Sequence, residues 1–348
     1  MLAPSAVDKT GSHDSGCDQG EVSQLASYQQ ELMRDYSDGT SALGRVCWDT
    51  KEGAADPLAQ SLFILGVKSL SNFMYDYCQV VFDELVRRRP DFVLGYWGRA
   101  MCNAQLIWST ERPVESGQLL AKGMAKAGYA SLDPVSSAIF NASVALNQWD
   151  AAYPACPSSV AAPSSAQGLT DSRLCRYEAF FRLVADALAV HPDNDNAGAY
   201  YILGALAVAT VKCSSTAPGQ CHYTQDARSQ ASRMYAAGAL SPAFLHYGLH
   251  SHDFPYEEIY DSGLEFAVAY PSKVNTTCHS LHMPAHLWDR AGVFSKAQLA
   301  NAASVKGADT FSSEGFGALS SVGGDVGTEG WAPGCALTAQ WPKQLCPQ

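Results

Sequence analysis

The sequence predicts an all-α protein whose helices follow one another as a helical repeat, or α-solenoid. Apolar residues recur at helical spacing from Leu58 onwards, and no segment shows the alternating pattern of a β-strand. Prolines and aspartates divide this pattern into segments of one helix each, joined by short turns. Pairs of helices repeated along a chain in this way are typical of α-solenoids.

Three segments are expected along the chain. Residues 1–57 are predicted to form an irregular N-terminal extension with one helix, over Glu21–Tyr36. Residues 58–306 are predicted to form the helical-repeat domain, and residues 307–348 a Gly/Ser-rich C-terminal tail. The chain has 348 residues, of which 47% are apolar, and this proportion is sufficient for a large core.

Start and stop signals give the bounds of the helices in the repeat domain. Asp133-Pro134 and Ser241-Pro242 each combine a capping residue with a proline at the first helical position. Pro271 is expected to end a helix, and Ala151–Thr170 is expected to be a loop because it is rich in Pro, Ser and Ala. The predicted helices are Gln60–Phe73, Asp76–Arg89, Phe92–Trp108, Pro113–Lys126, Pro134–Trp149, Asp171–Val190, Asn196–Val211, Thr224–Ala237, Pro242–His250, Tyr256–Tyr270 and Ser295–Val305.

The spacing of small and aromatic residues favours a tetratricopeptide-like repeat. Such a repeat has small residues where its two helices cross, an aromatic residue in the second helix and a proline at its end. Two sets of residues have about this spacing: Gly66, Cys78, Phe82 and Pro90, and Gly168, Phe180 and Pro192. The segment from Gly292 to Ala297 matches the turn and second helix of a further unit. The fold class predicted is therefore all-α and tetratricopeptide-like.

Histidines are concentrated in one part of the chain. Six of the nine histidines lie within the 46 residues from Leu245 to Arg290. Spacings of i, i+4, i+7 and of i, i+3, i+7 place three side chains on one face of a helix. Two sets have these spacings: His246, His250 and Asp253, and His279, His282 and His286. His252 is the sixth histidine, and we expect it to point away because it lies only two residues after His250.

These histidines predict a metal site. Imidazoles four residues apart on a helix can bind one ion, as in zinc-binding helices with a His-x-x-x-His pair. We expect His246, His250, His282 and His286 to be the principal ligands, with Asp253 and His279 in support. The metal would be zinc or copper, and the chemistry either hydrolytic, through an open position on zinc, or oxidative, on a pair of copper ions. No nucleotide-binding loop is present.

Pro284 leaves two arrangements open for the second set of histidines. It can kink one helix that carries all three histidines, or it can begin a new helix that carries only His286. In the second arrangement, His279 and His282 would precede the helix and the single-face argument would fail. Sulfur ligands in this region are limited to Cys278 and Met283.

Three segments of the chain contain motifs that resemble those of a known protein family. The first contains Asn72-Phe73-Met74-Tyr75 and Gly95-Tyr96-Trp97-Gly98, the second contains Pro242, His246-Tyr247, His250, Asp253 and Pro255, and the third contains His279, His282-Met283-Pro284-Ala285-His286, Arg290 and Asn301. In these segments the chain resembles a family of tetratricopeptide-like proteins, over roughly Leu58–Lys306. The resemblance implies the repeat fold and the histidine site, but no particular reaction. The family usually has a serine where this chain has Ala285, so any role for that hydroxyl is absent here.

The sequence also leaves two other functional classes open. A helical-repeat groove can bind a peptide or a protein, and the histidines would then be structural. Self-association through the two extensions is a further alternative. The net charge of −11 argues against nucleic acid and against anionic membrane surfaces as partners. No apolar run is long enough for a membrane span.

The eleven cysteines favour an oxidising compartment. Cys213 and Cys221 bracket a polar loop and are expected to form a disulfide, whereas Cys78 and Cys102 are expected to be either buried thiols or a bridge between adjacent helices. Two N-glycosylation sequons begin at Asn141 and Asn275. These features predict a secreted protein, although no signal peptide is visible in the sequence.

Overall fold

The structure is a computed structural model that describes residues 43–108, 111–147, 166–213 and 221–311. All regular secondary structure within these ranges is helical, and they contain no β-strand. The all-α prediction is therefore confirmed. The predicted helix at Glu21–Tyr36 and most of the predicted C-terminal tail lie outside the described residues.

The described part of the chain folds into a succession of α-helices. Two short 3-10 helices, Leu106–Trp108 and Ala127–Ser131, lie in connections between them. The α-helices are α1 (Lys51–Ala55), α2 (Pro57–Ser71), α3 (Tyr75–Arg88), α4 (Val93–Cys102), α5 (Pro113–Met124), α6 (Pro134–Asn147), α7 (Ala166–Val190), α8 (Asp195–Lys212), α9 (His222–Ala236), α10 (Pro242–His252), α11 (Glu257–Lys273), α12 (Cys278–His282), α13 (Pro284–Arg290) and α14 (Phe294–Phe311).

Local capping explains where several helices begin. The Asp133 carboxylate accepts hydrogen bonds from the backbone N–H groups of Val135 and Ser136, both at 3.0 Å, and Pro134 is the first residue of α6. Pro242 likewise begins α10 after Ser241. The two cap-and-proline signals in the sequence therefore predict these helix starts correctly.

Four predicted bounds are wrong, one of which is the end of the last helix, since α14 continues to Phe311 rather than ending at Val305. The helix predicted over Phe92–Trp108 ends at Cys102, because the next two N–H groups bond only three residues back and the chain then turns. The helix predicted to end before Pro271 continues to Lys273, with the proline in its last turn. The predicted loop Ala151–Thr170 is also too long, since α7 begins at Ala166.

Packing follows the order of the helices, with one long-range exception. Most consecutive helices contact each other, and α2 with α4, α4 with α6, α6 with α8 and α8 with α10 are also in contact. In addition, α10 contacts α2, so the array curls until a late helix meets an early one. An open solenoid, in which each unit contacts only its neighbours, does not describe this contact.

The core extends into the segment before the predicted domain boundary at Leu58. Trp48 is buried, and its indole Nε1 donates to the Ser136 hydroxyl at 2.8 Å. Elsewhere in the core, the Phe82 ring lies in a slot between two glycines, Gly66 and Gly98. A Cβ atom on Gly66 or Gly98 would come within 2.6 or 2.1 Å of that ring. The small residues therefore allow α2, α3 and α4 to approach each other closely.

Disulfides join parts of the described chain. Cys78 and Cys102 are bonded, so the bridge between adjacent helices is confirmed and the buried-thiol alternative is wrong. Cys213 is bonded to Cys221, as the sequence predicts.

Among the described residues, no helix is both long enough and apolar enough to cross a bilayer.

Candidate metal centre

Three histidines from two helices converge on one point. His246 and His250 lie one turn apart on α10, and His279 lies on α12. The Nε2 atom of His246 is 2.9 Å from Nε2 of His279 and 3.2 Å from Nε2 of His250. One nitrogen from each of the three side chains lies within 4.8 Å of the others, close enough to hold a metal ion. We call these three residues the histidine triad.

His246 is held in a single tautomer. Its side chain is fully buried, and its Nδ1 atom lies 2.7 Å from the backbone carbonyl oxygen of Ser71 at the end of α2. A carbonyl oxygen can only accept a hydrogen bond, so Nδ1 carries the proton and Nε2 presents a lone pair to the triad. The Tyr270 ring stacks on this imidazole at 5.1 Å, and its hydroxyl donates to the Asn72 side chain.

Phe73 packs against all three imidazoles of the triad. Its ring centroid lies 4.3 Å from that of His246, 5.2 Å from His279 and 5.8 Å from His250. Phe73 is the one non-glycine residue with positive φ in the described chain, at 56°. It occupies the position after the C-cap of α2, where glycine is usual, and its own N–H and that of Met74 close the helix end. The left-handed backbone thus directs an aromatic ring onto the triad.

The other two histidines of the second set face each other. His282 and His286 have their Nε2 atoms 3.0 Å apart. The Nδ1 atom of His282 lies 2.7 Å from the Asn301 amide oxygen, and that of His286 lies 3.0 Å from the Asp253 carboxylate. We call these two residues the histidine pair.

Pro284 begins a new helix, which decides between the two arrangements that the sequence allows. It is the first residue of α13, and α12 ends at His282. His279 and His282 therefore lie on a short helix of their own rather than in a loop. The second set of histidines is divided: His279 joins the triad, and His282 faces His286.

Asp253 is held as a charged carboxylate behind the pair. It caps the end of α10 and also accepts a hydrogen bond from Nε of Arg290 at 2.6 Å. Burial alone would raise the pKa of this carboxyl, but His286 and Arg290 together hold the pKa well below its usual range. Asp253 therefore orients His286 rather than pointing at the triad.

Four histidines of the site, His246, His250, His279 and His282, are held neutral. Burial, together with the neighbouring imidazoles, lowers the pKa of His246 and of His279 well below the ordinary value. The same causes lower the pKa of His250 and His282 to about 4. The neutral imidazole is the form that binds metal ions, so these residues are ready to ligate at pH 7.

Two other residues considered from the sequence, His252 and Cys278, are not placed as ligands. His252 points away from the triad, since its Nδ1 lies 2.7 Å from the Gly248 carbonyl and its ring stacks on Phe266. Cys278 is disulfide-bonded and offers no thiolate, so it is excluded as a sulfur ligand. Met283 is buried between the two short helices.

Three residues contribute to the site without having been assigned a role from the sequence. They are Ser71, Phe73 and Asn301. Phe73 and Asn301 belong to the segments that resemble the tetratricopeptide-like family, and this is the signal that could have pointed to them. Ser71 acts through its backbone carbonyl, which no side-chain pattern reveals.

The arrangement offers three neutral nitrogens at one point, a second pair of nitrogens on α12 and α13, and a partly buried phenylalanine ring that packs against the triad. Such a donor set suits zinc or copper, which both accept imidazole ligands. It contrasts with the oxygen-rich sites that magnesium and calcium require. No protein-family model, curated protein or solved structure matches this chain.

Proposed function

We propose that the chain binds a divalent transition metal, zinc or copper, through His246, His250 and His279, and acts as a metal-dependent enzyme. The observation that carries this proposal is the convergence of three Nε2 atoms, two of whose separations are 2.9 and 3.2 Å. With metal–nitrogen bonds of about 2.0–2.1 Å, adjacent ligands are roughly 2.9 Å apart around an octahedral ion and roughly 3.4 Å apart around a tetrahedral one. The two separations fall within this range.

The number of ligands favours a catalytic rather than a structural role. Structural zinc sites use four protein ligands, whereas catalytic zinc sites use three and leave a position for water or substrate. When bound, zinc would supply Lewis-acid chemistry for hydrolysis, and copper would supply oxidative chemistry. The chain's own residues would hold the three nitrogens, since the Ser71 carbonyl fixes the His246 tautomer and Phe73 packs against each ring.

A purely structural role for the triad fits the contacts less well. A buried structural histidine normally donates and accepts with oxygen partners, which satisfy its two nitrogens. Here the inward nitrogens of three imidazoles meet only nitrogens of the same kind among the hydrogen bonds that we observe. Burial also keeps these imidazoles neutral, by lowering the pKa of each one.

Metal analysis of the purified full-length chain tests the proposal. We expect zinc or copper to bind, and we expect His250→Ala or His279→Ala to weaken binding at the triad by at least about 100-fold. His222→Ala is the control, because His222 is exposed and lies on α9, and it should bind as the wild type does. Equal binding by the wild type and the two triad variants would refute the assignment.

The identity of the bound metal separates the two chemistries. Zinc binding with hydrolysis of activated ester substrates would support the hydrolytic form of the proposal. Copper binding with dioxygen consumption in the presence of a reductant would support the oxidative form. A protein that binds metal tightly but catalyses neither reaction would overturn the enzymatic part and leave a metal-binding protein.

We further propose a tetratricopeptide-like family membership and a secreted location. Contacts between alternate helices, such as α2 with α4 and α4 with α6, support the family membership.

The disulfides Cys78–Cys102 and Cys213–Cys221 support the secreted location, because such bonds persist in oxidising compartments. Asn275 is exposed and is the better placed of the two sequons, since the Asn141 side chain accepts a hydrogen bond from Tyr129. A shift in mass on treatment with an N-glycosidase would test this site in protein from a secreting eukaryotic host.

A further inference from the structure

The histidine pair, His282 and His286, contains an unusually close contact between two imidazole nitrogens. The two imidazoles lie at the junction of α12 and α13, where Met283 keeps a helical backbone with φ −52° and ψ −37°. Their Nε2 atoms are 3.0 Å apart. A contact of this length between two nitrogens is stable only if a proton or another cation lies between them, because two lone pairs repel.

The outer nitrogens determine which atoms carry the protons. The Nδ1 atom of His286 lies 3.0 Å from the Asp253 carboxylate, which is ionised and can only accept. The Nδ1 atom of His282 lies 2.7 Å from the amide oxygen of Asn301, which also accepts. In the metal-binding form of each ring, these contacts place the proton on Nδ1, and the two Nε2 lone pairs then face each other.

The pair differs from the triad in this respect. In the triad, the Ser71 carbonyl fixes the tautomer of one imidazole, that of His246. In the pair, Asn301 and Asp253 direct both lone pairs inward, and only a cation satisfies them. Histidines with an outer N–H bonded to a carboxylate or carbonyl oxygen are typical metal ligands, because this bond fixes the ring and the tautomer.

The pair also lies next to the triad. The two groups of imidazoles are linked through the chain, because α12 carries His279 and His282 three residues apart. An ion at the pair would therefore be close to an ion at the triad.

We propose that His282 and His286 form a second transition-metal site beside the triad, with Asp253 and Asn301 as positioning residues. The inference rests on the proposed metal-binding function and extends it to a two-metal centre. The 3.0 Å separation of the two nitrogens matches neighbouring ligands on one ion with bonds of about 2.0–2.1 Å. Two nitrogens leave several positions on this second ion for water or substrate.

The stoichiometry of zinc binding to the metal-free full chain tests the inference. We expect two zinc equivalents for the wild type and for the His222→Ala control. We expect one equivalent for His282→Ala and for His286→Ala, and one for His250→Ala, which loses the triad site and keeps the pair. Circular dichroism and thermal unfolding of each variant establish that it is folded before its metal content is compared.

The outcomes separate this inference from the proposed function. One equivalent in the wild type that His282→Ala leaves unchanged would overturn the second site, and the triad would stand. No zinc in any protein would overturn both. One equivalent that is lost in His282→Ala but kept in His250→Ala would overturn the triad assignment and support the pair.

The positioning residues provide a second readout. Asp253→Asn removes the charge behind His286 and is expected to weaken only the second equivalent, by about 10- to 100-fold. Asn301→Asp supplies an oxygen acceptor to His282 in either orientation of the side chain, so it should retain the second equivalent, whereas Asn301→Leu should weaken it. Equal zinc binding by Asn301→Asp and Asn301→Leu would contradict the role given to this residue.

Copper provides a test that does not depend on affinity. Two Cu²⁺ ions in adjacent sites are expected to couple magnetically, so the fully loaded wild type should give a broadened or diminished electron paramagnetic resonance signal. His286→Ala should give the sharp signal of one isolated Cu²⁺ ion. A wild-type spectrum that shows two sharp and independent ions would overturn the two-metal centre.

Discussion

At position 73, the glycine variant is predicted to be more stable than the alanine variant, which is the reverse of the usual order within a helix. Its backbone is left-handed, with φ of 56°, and this conformation costs a non-glycine residue about 1–2 kcal/mol. Its ring is partly buried against the triad, and such burial contributes about 1–2 kcal/mol. Phe73→Ala loses the ring and keeps the backbone cost. Phe73→Gly loses the ring but also loses the backbone cost.

The difference between the two variants follows from these values. Glycine also lowers the stability by about 0.5–1 kcal/mol relative to alanine, because it has more freedom in the unfolded chain. The relief of about 1–2 kcal/mol at positive φ exceeds this loss. Phe73→Gly is therefore expected to be more stable than Phe73→Ala by about 0.5–1 kcal/mol, and both are expected to be less stable than the wild type.

Urea unfolding of the metal-free protein measures this difference directly. Leu299 provides the matched control, because it is a large and exposed apolar residue inside α14. There, Leu299→Ala should be more stable than Leu299→Gly by about 0.5–1 kcal/mol. If alanine is also the better residue at position 73, the left-handed backbone does not carry the cost that we assign to it. Both Phe73 variants lack the ring, so both should weaken metal binding at the triad to a similar extent.

Three further predictions concern stability. Gly98→Ala should destabilise the fold by about 1–3 kcal/mol in urea unfolding, because its Cβ would lie 2.1 Å from the Phe82 ring, and an unchanged midpoint would contradict this packing. Replacing Cys78 and Cys102 by alanine should cost about 3 kcal/mol, and equal stability of the oxidised protein and this double variant would refute the estimate. Burial lowers the pKa of His252 to about 4 in the folded chain. The metal-free protein should therefore lose stability as the pH falls from about 6.5 to about 4, because over this range the unfolded chain binds a proton at His252 and the folded chain does not. For this one residue the loss is at most about 3 kcal/mol, and His252→Gln should show a correspondingly smaller loss between pH 7 and pH 4.

The helices could be predicted because their signals are local. Asp133-Pro134 and Ser241-Pro242 predict helix starts, since capping and the fixed φ of proline act within a few residues. The placement of His246 and His250 on one face follows from the helical period alone. Phe92–Trp108 shows the limit of such patterns, because apolar spacing continues through a segment in which the chain has already left the helix.

The composition of the site could not be predicted in the same way. His279 joins His246 only because α12 packs near α10, and the Ser71 carbonyl reaches His246 across 175 positions of the chain. That contact depends on the curl of the whole array, which brings α10 onto α2. Phe73 likewise acquires its role from a helix end and from three residues that follow it by more than 170 positions. Long-range geometry of this kind has no signature in local spacing.

X-ray absorption spectroscopy of the zinc-loaded protein tests the central claim most directly. With one equivalent bound at the triad of a His282→Ala variant, we predict nitrogen neighbours at about 2.0–2.1 Å and the multiple-scattering pattern of three imidazoles. Adding His279→Ala to this variant should remove that pattern or reduce it to fewer imidazoles. A spectrum with only oxygen neighbours, or one that His279→Ala leaves unchanged, would contradict a metal site at His246, His250 and His279.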